Sequence, residues 1–210
     1  MFEHAARSVP WGLVATAAAL VTVLLRVVEE WPYQMWPLQG IAVGLVAGVA
    51  ASAFDEPAAA VVDTLPRSLR WRTVARSAAV VLLLGWWLLS VWWTRTAYFG
   101  HAEAVAWQGC VAALAATAYV TWLRDRGRAT PAAAVSPAVV GVTISLALAR
   151  PLDESVPLFP YTAGGPWASS QLLWSTVGVL ALVTLTWVLV PDARIKSPGR
   201  GRPLSAPGSR

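Results

Sequence analysis

The sequence predicts an all-α polytopic membrane protein with six transmembrane helices and both termini cytoplasmic. Three observations carry this. Hydrophobic residues make up 57% of the 210-residue chain and charged residues 13%, against about a quarter charged in soluble domains. Apolar runs of membrane-crossing length recur between short polar segments. The basic residues fall almost entirely on alternate segments, as the positive-inside rule requires.

The spans are expected at about residues 11–28, 38–54, 74–93, 103–123, 132–149 and 171–190. Most approach the roughly 20 residues that a helix needs to cross about 30 Å of hydrocarbon. A helix satisfies its own backbone in lipid, so these runs are read as helices. The first run exceeds the roughly 7–15 apolar residues of a signal peptide, and no convincing cleavage site follows it, so it is expected to be retained.

Thirteen of the sixteen Arg and Lys residues fall on the side holding the N-terminus, the 55–76 segment, the 124–131 loop and the tail. Arg26, Arg95 and Arg150 fall on the other. That asymmetry sets the expected orientation. Tryptophan gives the same map. Trp11, Trp71, Trp122 and Trp187 fall near the expected inner boundary, and Trp31, Trp36, Trp92, Trp93, Trp107, Trp167 and Trp174 near the outer one, where indoles favour the headgroup region. Trp86 and Trp87 lie deeper, and one of them is expected to pack on a neighbouring helix.

The polar connections differ in character. Glu29–Pro37 (EEWPYQMWP) and Pro151–Ala168 (PLDESVPLFPYTAGGPWA) are Pro-rich, aromatic outer loops that can together form a lid or shallow vestibule. Arg26-x-x-Glu29-Glu30 has an echo in Arg150-x-x-Asp153-Glu154, too short to establish a duplication. The tail, residues 191–210, is rich in Pro, Gly, Ser and Arg; it is expected to be disordered, with its cations serving as an orientation signal.

Little in the chain points to chemistry. There is no HExxH, GxSxG or Walker A motif, so no enzyme activity is expected and no catalytic, cofactor-binding or metal-binding residue is assigned. Cys110 stands alone in GCVAALAA and reads as a small buried apolar residue; His101 reads as a solvent-exposed loop histidine. No charge lies well inside any span, which argues against a proton-coupled carrier. The net charge of +5 is distributed between apolar runs, so no nucleic-acid partner is expected.

Two features remain. Gly40, Gly44 and Gly48 form a GxxxGxxxG stripe, continued at the same spacing by Ser52 and Glu56, that lets another helix approach closely. Packing within one chain is the first reading. A contact between subunits in a homo- or hetero-oligomer is the second, and under it Gly44→Leu would shift the assembly. Pro137, Gly141, Ser145 and Ala149 form a weaker stripe in the fifth span.

The other feature is the segment Asp55–Arg76, with an amphipathic part over 55–73. Ala58, Val61, Val62, Leu65 and Leu69 follow helical spacing, Asp55 and Pro57 suit a helix start, and Arg67, Arg70, Arg72 and Arg76 close it. On its own this is a helix at the cytoplasmic interface, resting on lipid. The order Phe54-Asp55-Glu56-Pro57, an Ala/Val-rich turn, Leu65-Pro66-Arg67-Ser68 and an Arg cluster ending at Arg76 resembles small membrane subunits of ABC-2-type transporters from GC-rich bacteria. The resemblance is loose and covers about 20 residues. It implies a permease subunit in a bacterial cytoplasmic membrane, an exporter, and a separate ATP-binding subunit coupled through Asp55, Glu56, Pro57, Leu65, Pro66, Arg67, Arg70, Arg72 and Arg76. The alternative is a non-transporting membrane scaffold.

Overall fold

A computed structural model describes residues 10–54, 69–149 and 158–190, with the side chains of 69–75 outside the description. Among the described residues the fold is helical throughout, without strands. Its helices are α1 (Trp11–Glu30), α2 (Pro37–Ser52), α3 (Leu69–Trp93), α4 (Ala102–Asp125), α5 (Ala132–Ala149) and α6 (Trp167–Leu189), with a 3₁₀ turn over Arg95–Tyr98. Five of them are long and apolar enough to cross a membrane; α2 is shorter, at 16 residues, about 24 Å at the helical rise.

Boundaries shift where caps and packing extend the apolar runs. The sixth helix begins at Trp167 instead of near 171, because Pro166 opens it and Trp167 is buried. The third begins at Leu69, five residues ahead of the expected span. Residues 69–73, expected in a surface segment, are therefore the first turn of a helix continuous with the span.

Helices consecutive in the chain alternate in direction. Gly48 meets Ser136 and Val140 while Gly40 meets Ala147, so α2 and α5 are antiparallel. Gln39 reaches Gln108 and Phe54 reaches Arg124, so α2 and α4 run in parallel. One end of the bundle is rich in arginine, with Arg124, Arg126 and Arg128 closing α4 and Arg70 and Arg72 opening α3. The opposite end carries Trp31, Trp36, Trp92, Trp93 and Trp107.

The centre is α2, packed by α1, α4 and α5, with α6 against the far side of α4 and α3 bridging α1 and α4. Eleven of its 16 residues are buried. In lipid, helices gain little from the hydrophobic effect against one another, so dispersion between close backbones must hold them. The glycine stripe supplies this. A Cβ on Gly40 would stand 2.7 Å from Ala147 Cβ, one on Gly44 2.8 Å from Thr143 Cβ, and one on Gly48 2.6 Å from Val140 Cγ2. The stripe is filled by α5 of the same chain, which leaves no room on that face for another subunit. The stripe expected on α5 points elsewhere: Pro137, Gly141, Ser145 and Ala149 are all exposed.

Both deep tryptophans engage neighbours. Trp87 is fully buried, its indole donating to Ala106 O at 3.0 Å and filling the space that Gly109 leaves open on α4. Trp86 donates from α3 to Ala18 O and Thr22 Oγ1 of α1, at 3.0 and 2.9 Å.

The turn joining α3 to α4 reverses through Phe99 (φ 52°) and Gly100 (φ 89°). Tyr98 is buried beneath it, its hydroxyl 2.9 Å from Thr94 Oγ1. Burial, first, and then the charge of Glu29 push its phenol up to about 12, against an opposing effect of the Thr94 hydrogen bond. The folded state therefore favours the neutral phenol. Its contribution is complete below pH 10 and is lost as pH rises from 10 to about 12, an order of 2–3 kcal/mol. Thermal unfolding in detergent should show this loss across that window, and Tyr98→Phe should remove the step. An identical alkaline profile in both proteins would refute the assignment.

Candidate functional site

Two polar constellations stand out, one at each end of the bundle. At the arginine-rich end, α2 stops at Ser52 and its last carbonyls are used locally: Ser52 Oγ donates to Gly48 O. Arg124 Nη1 then donates to Phe54 O at 3.0 Å, tying the exit of α2 to the end of α4. Asp55, Glu56, Pro57, Leu65, Pro66 and Arg67 lie outside the described residues. Arg70 and Arg72 fall in the first turn of α3. Arg76 is buried, at 4% exposure. Arg76 stands near the start of the expected 74–93 span, ahead of the uncharged residues 77–93, and is surrounded by protein. Enclosure in protein is how a membrane helix tolerates a cation near its end.

The tail cations Arg194, Lys196, Arg200, Arg202 and Arg210, the N-terminal Arg7, and the Arg150-x-x-Asp153-Glu154 echo also lie outside the described residues. Its counterpart forms a short ion pair, Arg26 Nη1 to Glu29 Oε2 at 2.6 Å. The pair is exposed, so it contributes little to stability.

At the tryptophan-rich end, the two loops expected to form a lid come together. Trp36 stacks on Tyr161 at 4.5 Å, and Phe159 packs over Gly40. Beneath them is a buried amide network that the sequence reading passed over. Gln39 of α2 donates to Gln108 Oε1 of α4 at 3.0 Å. Gln108 Nε2 donates to Ser170 Oγ of α6 at 3.2 Å and to Leu158 O at 3.4 Å. Leu158 O also accepts from Ser170 Oγ and from Trp174 Nε1, at 3.1 and 3.0 Å. One loop carbonyl thus gathers three donors from two helices.

A buried amide needs its partners, because an unpaired donor in an apolar surround costs about 1–3 kcal/mol. Here the amides pair with each other and with the loop, so the network fixes three helices and the 158–166 connection in one arrangement. The signal was present in the sequence as uncharged amides inside apolar runs; a search for charged groups does not find them. Trp174 and Trp167 also differ from the expected headgroup anchors. Both are buried, and Trp167 Nε1 donates to Thr162 O at 2.8 Å.

His101 is not the solvent-exposed loop residue expected. It is half-buried and stacks on Trp167 at 4.4 Å. Cys110 is half-buried in α4. Among the described residues no three His, Cys, Asp or Glu side chains cluster to hold a metal ion. Thr117 Oγ1, buried in α4, has no hydrogen-bond partner.

The class of protein that these observations define is a helical bundle whose helices are long and apolar enough for a multi-pass membrane protein. No family model, curated protein or solved structure matches the chain.

Proposed function

We propose that all six helices cross a bacterial cytoplasmic membrane with the arginine-rich end inside, and that the chain is the permease subunit of an ATP-driven exporter. ATP binds a separate subunit, which meets this one at Asp55–Arg76. The observation that carries the reading is the length of α3. At 25 residues it extends about 37 Å, longer than roughly 30 Å of hydrocarbon. Its residues 77–93 carry no charge, so the turn with Arg70 and Arg72 lies ahead of that uncharged run. Phe54, held by Arg124, fixes the other root of the same segment. A connection anchored at both roots and ending in a projecting cationic turn suits transmission of force from a partner.

Arg67→Glu with Arg70→Glu is expected to abolish co-purification of an ATPase subunit from native membranes in mild detergent, while topology is unchanged. Normal association of the double variant would count against coupling. So would recovery of the wild-type protein without an ATPase.

A second reading, a membrane scaffold, is favoured by the packed centre. The glycine face of α2 is filled by α5, and the amides between α2, α4 and α6 are paired. Recovery with a non-ATPase complex would select it.

A further inference from the structure

The lipid-facing surface between α4 and α6 carries a groove of about 430 Å³, within the roughly 300–1,000 Å³ range of small-molecule sites. Ala115 and Ala118 floor it on one side and Ala181 on the other; Val177 and Leu180 wall it, and Tyr119 and Trp122 stand towards the arginine-rich end. Its polar needs are met internally, since Thr184 Oγ1 donates to Leu180 O at 2.8 Å. The small side chains hold the walls apart.

One turn beyond Trp122 stands Arg126. Its guanidinium carbon lies 3.9 Å over the Trp122 ring centroid. With one face on the indole, a guanidinium keeps its in-plane donors for an anion. Among the described residues no carboxylate stands within ion-pair distance of Arg126, and Asp125 is the single acid in residues 124–128.

The helix end is closed by its own backbone. Gly127 N donates to Arg124 O at 2.9 Å and Arg128 N to Leu123 O at 3.1 Å, with Gly127 at φ 88°. This Schellman closure satisfies two of the terminal carbonyls and sets Arg126 as the final residue of the turn over Trp122, while Arg124, Arg126 and Arg128 offset the negative end of the helix dipole.

We propose that this groove binds one acyl chain of an anionic glycerophospholipid, with the phosphate on Arg126. A zwitterionic lipid would bring a choline cation beside its phosphate, towards Arg124, Arg126 and Arg128, and a free phosphate would leave the groove unused. The proposal requires only that the bundle sits in a bilayer; it is independent of any ATPase.

The test is native mass spectrometry of the full chain from nanodiscs of dioleoyl phosphatidylglycerol or dioleoyl phosphatidylcholine. The expected result is one retained phosphatidylglycerol, favoured over phosphatidylcholine by about fivefold, the effect of roughly one interfacial cation. Arg126→Gln should remove that preference. Ala115→Leu, which fills the groove, should lower retention of phosphatidylglycerol while leaving the protein folded. Arg95→Gln is the control: Arg95 lies 4.4 Å over Trp92 in similar geometry at the opposite end, away from the groove. It should change nothing. Equal retention of the two lipids, or equal losses in Arg126→Gln and Arg95→Gln, would overturn the proposal. A lipid-free dimer that Ala115→Leu splits would overturn it too, assigning the groove to a second copy of the chain.

Discussion

Gly44→Leu is expected to abolish folding of the bundle rather than merely change its oligomeric state. Gly44 is buried at the centre of α2, and a Cβ there would already overlap the Thr143 side chain, 2.8 Å from its Cβ. Thr143 cannot easily withdraw. Its hydroxyl donates back to Val139 O, and its neighbours Val140 and Ala147 meet Gly48 and Gly40 on the same face. Relief would require α5 to move off α2 along its length. Overpacking typically costs about 1–3 kcal/mol, and leucine adds three carbons beyond that Cβ, so the loss should be at least about 3 kcal/mol. Gly44→Ala should cost less and be partly rescued by Thr143→Gly, which removes the opposing side chain. Gly85→Leu and Gly141→Leu are controls, because a Cβ at either position meets nothing within 4 Å. Thermal unfolding and monodispersity in detergent read the outcome. A folded Gly44→Leu protein with wild-type stability but a changed oligomer would return the glycine face to a subunit interface.

The apolar runs made the helices legible because span length is a bilayer constraint, independent of tertiary partners. The fifth, at residues 132–149, agrees with α5 at both ends. Tertiary effects are what the runs could not carry. α3 is already helical through the cationic residues from Leu69, ahead of the expected span, and Trp167 begins α6 because that residue packs inward. The glycine stripe announced a close approach without naming the partner. The face of α5 that meets it, Ser136, Val140, Thr143 and Ala147, has no glycine to advertise it. Of the residues proposed for coupling, Arg70, Arg72 and Arg76 sit on α3, and only Arg76 has a described environment. The lipid groove had no sequence signature either: Ala115, Ala118 and Ala181 become a floor only once α4 and α6 lie in parallel.

The amide network offers the sharpest energetic test. Gln108→Leu is expected to destabilise the protein by about 2–3 kcal/mol, because it strands the Gln39 amide in an apolar surround. Leu158 O keeps its donors from Ser170 and Trp174, so the penalty should fall chiefly on Gln39. Gln39 is 4% exposed. The double variant Gln39→Leu with Gln108→Leu should therefore be more stable than Gln108→Leu alone, since removing both amides leaves no orphan. Interhelical hydrogen bonds in membranes contribute only about 0.6 kcal/mol on average, so a large loss in the single variant must come from the stranded donor rather than from the bond. Additive losses in the double-mutant cycle would show that the two amides do not act as a pair. If they do, α2 and α4 cannot slide past each other at this end without breaking a bond that nothing nearby replaces.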